Sequence, residues 1–222
     1  SYYCPNCDFK RGTPDYVGTK LDLEKQTMNI NNNEIHLNKD FLFTAYASIA
    51  AYALCDTINI PEEKILDTFN KEKIPTKRGH DLKLGHRTIT MLESKNENAL
   101  SYYQSLKYVL NAEGKKVVIL GFDNVSRRYK YNDLSWLWDV EFELLNDESI
   151  EKIILIGRFK WDVRVRLEYA KIPNEKIYML DDINEIVHVL KTETKGNIYT
   201  MVCFDMTEIL LKKFKEEPNG NH

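Results

Sequence analysis

Val117-Val-Ile-Leu-Gly-Phe-Asp-Asn124 is the stretch on which the fold turns. Its apolar residues run without a polar break, as they do in strands buried on both faces of a parallel sheet. Ile153-Ile-Leu-Ile-Gly157 repeats the pattern, and Asn197–Phe204 is a third run of this kind. Thr88–Leu92 and Lys176–Leu180 read as shorter strands. Helical periodicity fits Ala99–Leu110, Asp162–Tyr169, Ile183–Leu190 and Thr207–Phe214, before a polar tail expected to fray. Strands that alternate with helices imply βαβ units, so the spacing predicts an α/β domain with a mainly parallel sheet. Ligands of such sheets bind beyond the carboxyl ends of the strands. Asp123-Asn124 and Asp205 fall at such ends.

Toward the N terminus the pattern changes. Thr19–Leu23, Thr27–Ile30 and Glu34–Leu37 read as three short strands, with Asn31-Asn-Asn33 as a hairpin loop. Phe41–Leu54 is apolar on most faces, as a well-buried helix is, and Pro61 is expected at the first position of the next helix, which ends near Lys71. Lys73-Ile-Pro-Thr-Lys-Arg-Gly79 reads as a linker. The chain is therefore divided into residues 1–77 and 78–222.

Composition narrows the function classes. With 43% hydrophobic and 29% charged residues, the 222-residue chain has the make-up of a globular protein. A net charge of -3 gives no electrostatic case for nucleic acid or an anionic membrane. No apolar run approaches a membrane span. Neither G-x-G-x-x-G after a strand nor G-x-x-x-x-G-K-[ST] occurs, so the sequence carries no recognisable phosphate cradle.

Among the cysteines, Cys55 and Cys203 fall in apolar patterns and are expected to be core residues. Cys4-Pro-Asn-Cys7 places two thiols on one tight turn, the form of a zinc knuckle. A structural zinc needs four ligands, and no second C-x-x-C follows. His36 is the nearest other donor, but its run Glu34-Ile-His-Leu37 reads as a strand. Half a zinc ribbon, with its remaining ligands upstream, fits best; a redox pair or fortuitous spacing are the alternatives.

Asn132-Asp-Leu-Ser-Trp-Leu-Trp-Asp139 is the candidate site. Trp136 and Trp138 anchor a segment bracketed by Asp133 and Asp139, with Glu141 and Glu143 following. An aromatic anchor beside a fixed carboxylate suits a general base, a metal ligand or the orienter of a histidine. The plainer reading makes Asp133 an Asx-turn or capping residue. The tryptophans are then packing anchors, and Asp139, Glu141 and Glu143 a solvated face, although one of them could bind an interface arginine. Arg127, Arg128 and Lys130 form a basic cluster that suits a partner's acidic edge or a solvated loop. His80 and His86 lack metal spacing, and His188 lies in a predicted helix.

Several segments resemble, in order, the MurT family of Mur-ligase-like subunits of the Gram-positive lipid II isoglutaminyl synthases. Tyr3-Cys-Pro-Asn-Cys-Asp-Phe-Lys10 is similar to the second half of the family's zinc ribbon. Asp40-Phe-Leu-Phe-Thr-Ala-Tyr-Ala-Ser-Ile-Ala-Ala-Tyr52 resembles the helix closing the Mur ligase central domain, and Glu93-Ser-Lys-Asn96 a turn opening the C-terminal domain. Asp133-Leu-Ser-Trp-Leu-Trp-Asp-Val-Glu-Phe-Glu143 is the strongest match, to the pattern Asp-x-Ser-Trp-x-x-Asp-x-(Asp/Glu)-Phe-Glu. There are departures. Lys39 and Asp40-Phe-Leu-Phe43 replace the usual Gly and Asn, Glu97 stands where Pro is expected, and Arg127-Arg-Tyr-Lys-Tyr131 replaces an Asp-Gly-Arg approach.

The resemblance implies a Rossmann-like Mur ligase C-terminal domain, preceded by the tail of a central domain with half a zinc ribbon. It implies part of a carbon–nitrogen ligase that amidates the D-glutamate carboxylate of the peptidoglycan stem peptide on lipid II. Ammonia would come from a GatD-type glutaminase bound as a heterodimer, and ATP and Mg would be used by the full-length protein but not bound by this fragment alone. Asp133 is implied as a catalytic residue, the third member of the glutaminase triad. Lys95 and Asn96 are implied as substrate-binding residues, and Cys4 and Cys7 as zinc ligands. The implied location is the cytoplasm, at the inner face of the membrane. A degenerate, non-catalytic binding module is the alternative.

Overall fold

The computed structural model describes residues 3–71, 80–93, 99–123 and 133–216. The linker reading at Lys73–Gly79, the turn carrying Lys95 and Asn96, Asn124, the basic cluster Arg127–Lys130 and the polar tail lie outside the described residues. The chain divides into two compact units, Ser1–Pro75 and Thr76–His222.

In the first unit, β1 (Gly18–Asp22), β2 (Thr27–Ile30) and β3 (Asn33–His36) form an antiparallel sheet. The β2–β3 turn is tighter than the asparagine tract suggests: Asn33 pairs with Ile30, and Asn31 takes φ +53°, a region asparagine tolerates. Helices α1 (Leu42–Thr57) and α2 (Glu62–Lys71) accompany the sheet, and Met28, Ile30, Ile35, Ala45, Tyr52 and Ile65 make the core. Pro61 lies just before α2 and not at its first position, its carbonyl accepting from the N–H groups of Lys64 and Ile65. At the helix junction the Tyr52 hydroxyl donates to Glu62 Oε1 (2.6 Å), and Asn33 Nδ2 donates to the same oxygen (2.6 Å).

The second unit contains the parallel sheet. β4 (His80–Leu84), β5 (Arg87–Glu93), β6 (Lys116–Gly121), β7 (Ile150–Ile156), β8 (Ile177–Met179) and β9 (Asn197–Val202) lie in the order β4-β5-β9-β6-β7-β8. All adjacent pairs are parallel except β4–β5. β6 is buried along its whole length, which is why its apolar run is unbroken. β4 was not expected. His80-Asp-Leu-Lys-Leu84 carries charge on alternate residues because it is an edge strand, and charge there discourages pairing with a further chain.

Among the described residues of this unit the α-helices are α3 (Ala99–Asn111), α4 (Lys160–Tyr169), α5 (Ile186–Glu193) and α6 (Phe204–Glu216). The strand predicted through Phe204 stops at Val202, and Phe204 and Asp205 open α6. Ile183–Glu185 forms a 3-10 turn before α5, capped by Asp182 accepting from the N–H of Asn184. Arg87 enters the core from β5 and donates to the carbonyls of Gly196 (2.7 Å) and Leu190 (2.6 Å) and to the Thr194 hydroxyl. Burial lowers its pKa, and the ring of acceptors offsets its desolvation.

Candidate functional site

The carboxyl ends of the central strands finish level. Gly121 of β6 pairs with Ile156 of β7 and with Val202 of β9. The chain then stays close at this edge. Cys203 N–H donates to Gly121 O (2.9 Å), Phe159 N–H donates to Phe122 O (3.1 Å), and Asp123 N–H reaches Cys203 Sγ at 3.3 Å. Gly157 takes φ +83°, and a Cβ there would lie 2.6 Å from Phe122 O, so glycine is required where β7 passes into α4.

Against this edge lies the segment that begins at Asp133. Ser135–Asp139 and Phe142–Leu145 are 3-10 turns. Trp136 anchors the first, its ring centroid 5.0 Å from Tyr102 of α3 and 5.7 Å from Phe122 after β6. Leu137, Val140, Phe142 and Leu145 are buried beneath it. Arg166 of α4 clasps the segment from the other side. It is 5% exposed, and its guanidinium donates to Leu137 O (3.2 Å), Val140 O (2.7 Å) and Glu143 Oε2 (2.9 Å). It also lies over the rings of Trp138 and Phe142. Glu143 is exposed, as expected, but is also paired: the Arg166 hydrogen bond holds its carboxyl below the ordinary glutamate value.

Asp133 is exposed at the head of this clasped segment. Its Oδ1 accepts from the backbone N–H of Ser135 at 2.8 Å. That bond, with a further contribution from the Ser135 side chain, lowers the Asp133 pKa and favours the carboxylate. The carboxylate keeps lone pairs for another donor. Chemically the arrangement is an ionised acceptor at a fixed place, pointing away from the core of its own chain.

Lys95 and Asn96 lie outside the described residues. Cys4 and Cys7 belong to the first unit, on a turn closed by Cys4 N–H donating to Phe9 O (2.7 Å). The Asn6 N–H and the Cys7 side chain lower the Cys4 pKa, which favours the thiolate a metal binds. Among the described residues no third histidine, cysteine or carboxylate completes a metal set with them. Trp138 is more exposed than a packing anchor, at 53%. Cys203 is buried as expected, while Cys55 is half-buried. Arg166 went unnoticed in the sequence, although Val163, Arg166 and Leu167 share the buried face of α4; an arginine at such a position signals a buried guanidinium.

A family model described as MurT ligase C-terminal matches residues 95–206, half of the chain. The chain belongs to the MurT ligase C-terminal family. This MurT-family chain is 26% identical over 172 residues to a protein of Staphylococcus aureus (strain COL) named lipid II isoglutaminyl synthase (glutamine-hydrolyzing) subunit MurT. The match covers 77% of this chain and 38% of that one. A protein of the same name from Streptococcus pneumoniae (strain ATCC BAA-255 / R6) is 23% identical over 217 residues, covering 92% of this chain and 45% of its own. The chain spans less than half the length of these curated relatives.

Solved structures agree on the fold. MurF from Acinetobacter baumannii superposes with a TM-score of 0.68 at 17% identity, covering 91% of this chain and 46% of that one. A pseudomurein peptide ligase type C from Methanothermus fervidus gives 0.64 at 15% identity, covering 97% and 44%. The MurT-family chain therefore has the Mur ligase α/β architecture that the resemblance implied, with the mainly parallel sheet that the spacing of its apolar runs implied. Among its described residues no helix is long and apolar enough to cross a membrane.

Proposed function

We propose that this chain is the glutaminase-binding part of an amide-forming ligase subunit, and that Asp133 completes the partner's Cys-His pair. The whole enzyme would amidate the D-glutamate carboxylate of the lipid II stem peptide with ammonia from glutamine, at the inner face of the membrane. The names of the Staphylococcus and Streptococcus relatives, each a subunit of a glutamine-hydrolysing synthase, support the partner and the donor. The observation that carries the reading is Asp133 itself, exposed, ionised and held by Ser135 at the head of a segment locked by Trp136 and Arg166. A carboxylate accepting from a histidine N–H fixes the imidazole tautomer and stabilises the imidazolium formed when a cysteine is deprotonated. Delivering it from a second subunit confines glutamine hydrolysis to the assembled complex.

The remaining assignments belong to the same proposal. Lys95 and Asn96 contribute to the acceptor-substrate site. Cys4 and Cys7 fit two of the four donors of a structural zinc, with tetrahedral closure needing two more ligands from elsewhere in the protein. ATP and Mg serve the ligase as a whole. This sequence contains no phosphate loop to hold them, so the chain by itself binds the glutaminase without activating the acceptor. The test is glutamate release by the partner glutaminase titrated with this chain. Saturable stimulation is expected; a bound complex with no gain in rate would contradict the reading.

A further inference from the structure

The grip of Arg166 begins at Leu137: its hydrogen bonds and ring contacts fall on Leu137, Trp138, Val140, Phe142 and Glu143. Asp133 and Ser135 lie ahead of that grip. The residue next to Ser135 is Trp136, and its ring meets two others. Tyr102 stands 5.0 Å from it at 40° and Phe122 5.7 Å from it at 68°, while Tyr102 and Phe122 are themselves 5.6 Å apart. The three rings close a triangle of tilted and edge-on contacts, an arrangement that aromatic quadrupoles favour over face-to-face stacking.

Two of the rings stand on fixed supports. Phe122 directly follows β6, is fully buried, and its carbonyl accepts from the N–H of Phe159. Tyr102 is 1% exposed and shares the inward face of α3 with Leu106 and Val109, which follow it at helical spacing. Trp136 is the partly exposed member of the three. It is bonded directly to Ser135, whose N–H donates to Asp133 Oδ1 at 2.8 Å. The buried rings place Trp136, and Trp136 places the donor that orients the carboxylate. Such an arrangement matters for rate, because a misplacement of about 1 Å at a reacting group costs on the order of a hundredfold.

We propose that Tyr102 and Phe122 are positioning residues for Asp133: their rings fix Trp136, and through it the Ser135 N–H that orients the carboxylate. This rests on the function proposed above. Neither residue touches glutamine or the partner's cysteine and histidine; each acts through Trp136 alone. Arg166 steadies the segment from Leu137 onward, and the aromatic triangle steadies the end that carries the chemistry.

The test is a double-mutant cycle read in glutamine hydrolysis by the glutaminase at saturating chain. It compares wild type, Tyr102→Leu, Asp133→Asn and the two changes together, with Tyr102→Phe as the variant that keeps the ring. Kd for the glutaminase and KM for glutamine are measured alongside, and thermal unfolding shows which variants are folded. Tyr102→Leu is expected to lower kcat by roughly tenfold or more, with Kd and KM as in wild type. Tyr102→Phe is expected to match wild type. Added to Asp133→Asn, Tyr102→Leu is expected to cost nothing further, since the group it positions is already disabled. Should Tyr102→Leu not fold, Trp136→Leu removes the other side of the contact from a partly exposed position and is held to the same outcomes. Full kcat in the folded variant would overturn the proposal, and so would a loss repeated in the Asp133→Asn background or a loss confined to Kd. Unchanged kcat in Asp133→Asn itself would overturn the function proposed above, and this inference with it.

Discussion

At Asp133 the backbone N–H of Ser135 orients the carboxylate and, with a contribution from the Ser135 side chain, lowers its pKa. The pair is visible in the sequence as Asp-Leu-Ser, and so is the aromatic anchor at Trp136. What the sequence conceals is the partner of Glu143. That residue reads as one more surface acid, because the guanidinium it meets lies 23 positions away, on α4. The Arg166 bond depresses the Glu143 pKa in the folded state, so its stabilising contribution is present above the ordinary glutamate range and is lost as pH falls through the depressed value. Glu143→Gln should therefore lower stability at neutral pH, by no more than about 1 kcal/mol because the side chain is half-exposed. Urea unfolding of wild type and variant should converge in acid. A gap that stays constant down to low pH would show that the ion pair is not its source.

Among the elements, the uninterrupted apolar strands β6, β7 and β9 were legible because burial on both faces leaves no alternation to misread. The charged strand β4 was not, since an edge position writes polarity into a strand and leaves it without the apolar run that marks its neighbours. The 3-10 turns at Ser135–Asp139 and Phe142–Leu145 escaped for another reason. Their stability comes from Arg166, Tyr102 and Phe122, which are distant in sequence, and not from any local period. Arg166→Met keeps much of the side-chain volume but leaves the carbonyls of Leu137 and Val140 without their charged donor. We expect a loss of roughly 3 kcal/mol in denaturant unfolding. We also expect weaker glutaminase stimulation, since the turn that presents Asp133 is loosened. Wild-type stability in that variant would mean the turns are held by aromatic packing alone.

For the molecule as a whole, the alternation of strands and helices announced a parallel sheet, but not its order. β9 inserts between β5 and β6, a pairing across more than 75 residues on one side and more than 100 on the other that no local signal encodes. The Mur ligase likeness covers both units, whereas the family model is confined to residues 95–206, within the unit that carries Asp133. The clasped turn lies within that unit as well. The central claim, that this unit lends Asp133 to a glutaminase, is tested most directly by the rate of glutamine hydrolysis at saturating chain, wild type against Asp133→Asn. Loss of most of the stimulation is predicted, on the order of 10²- to 10⁴-fold in kcat with Kd unchanged, as for a triad deprived of its orienting carboxylate. Equal stimulation by the two proteins would contradict the claim and reduce Asp133 to the residue that caps its own turn.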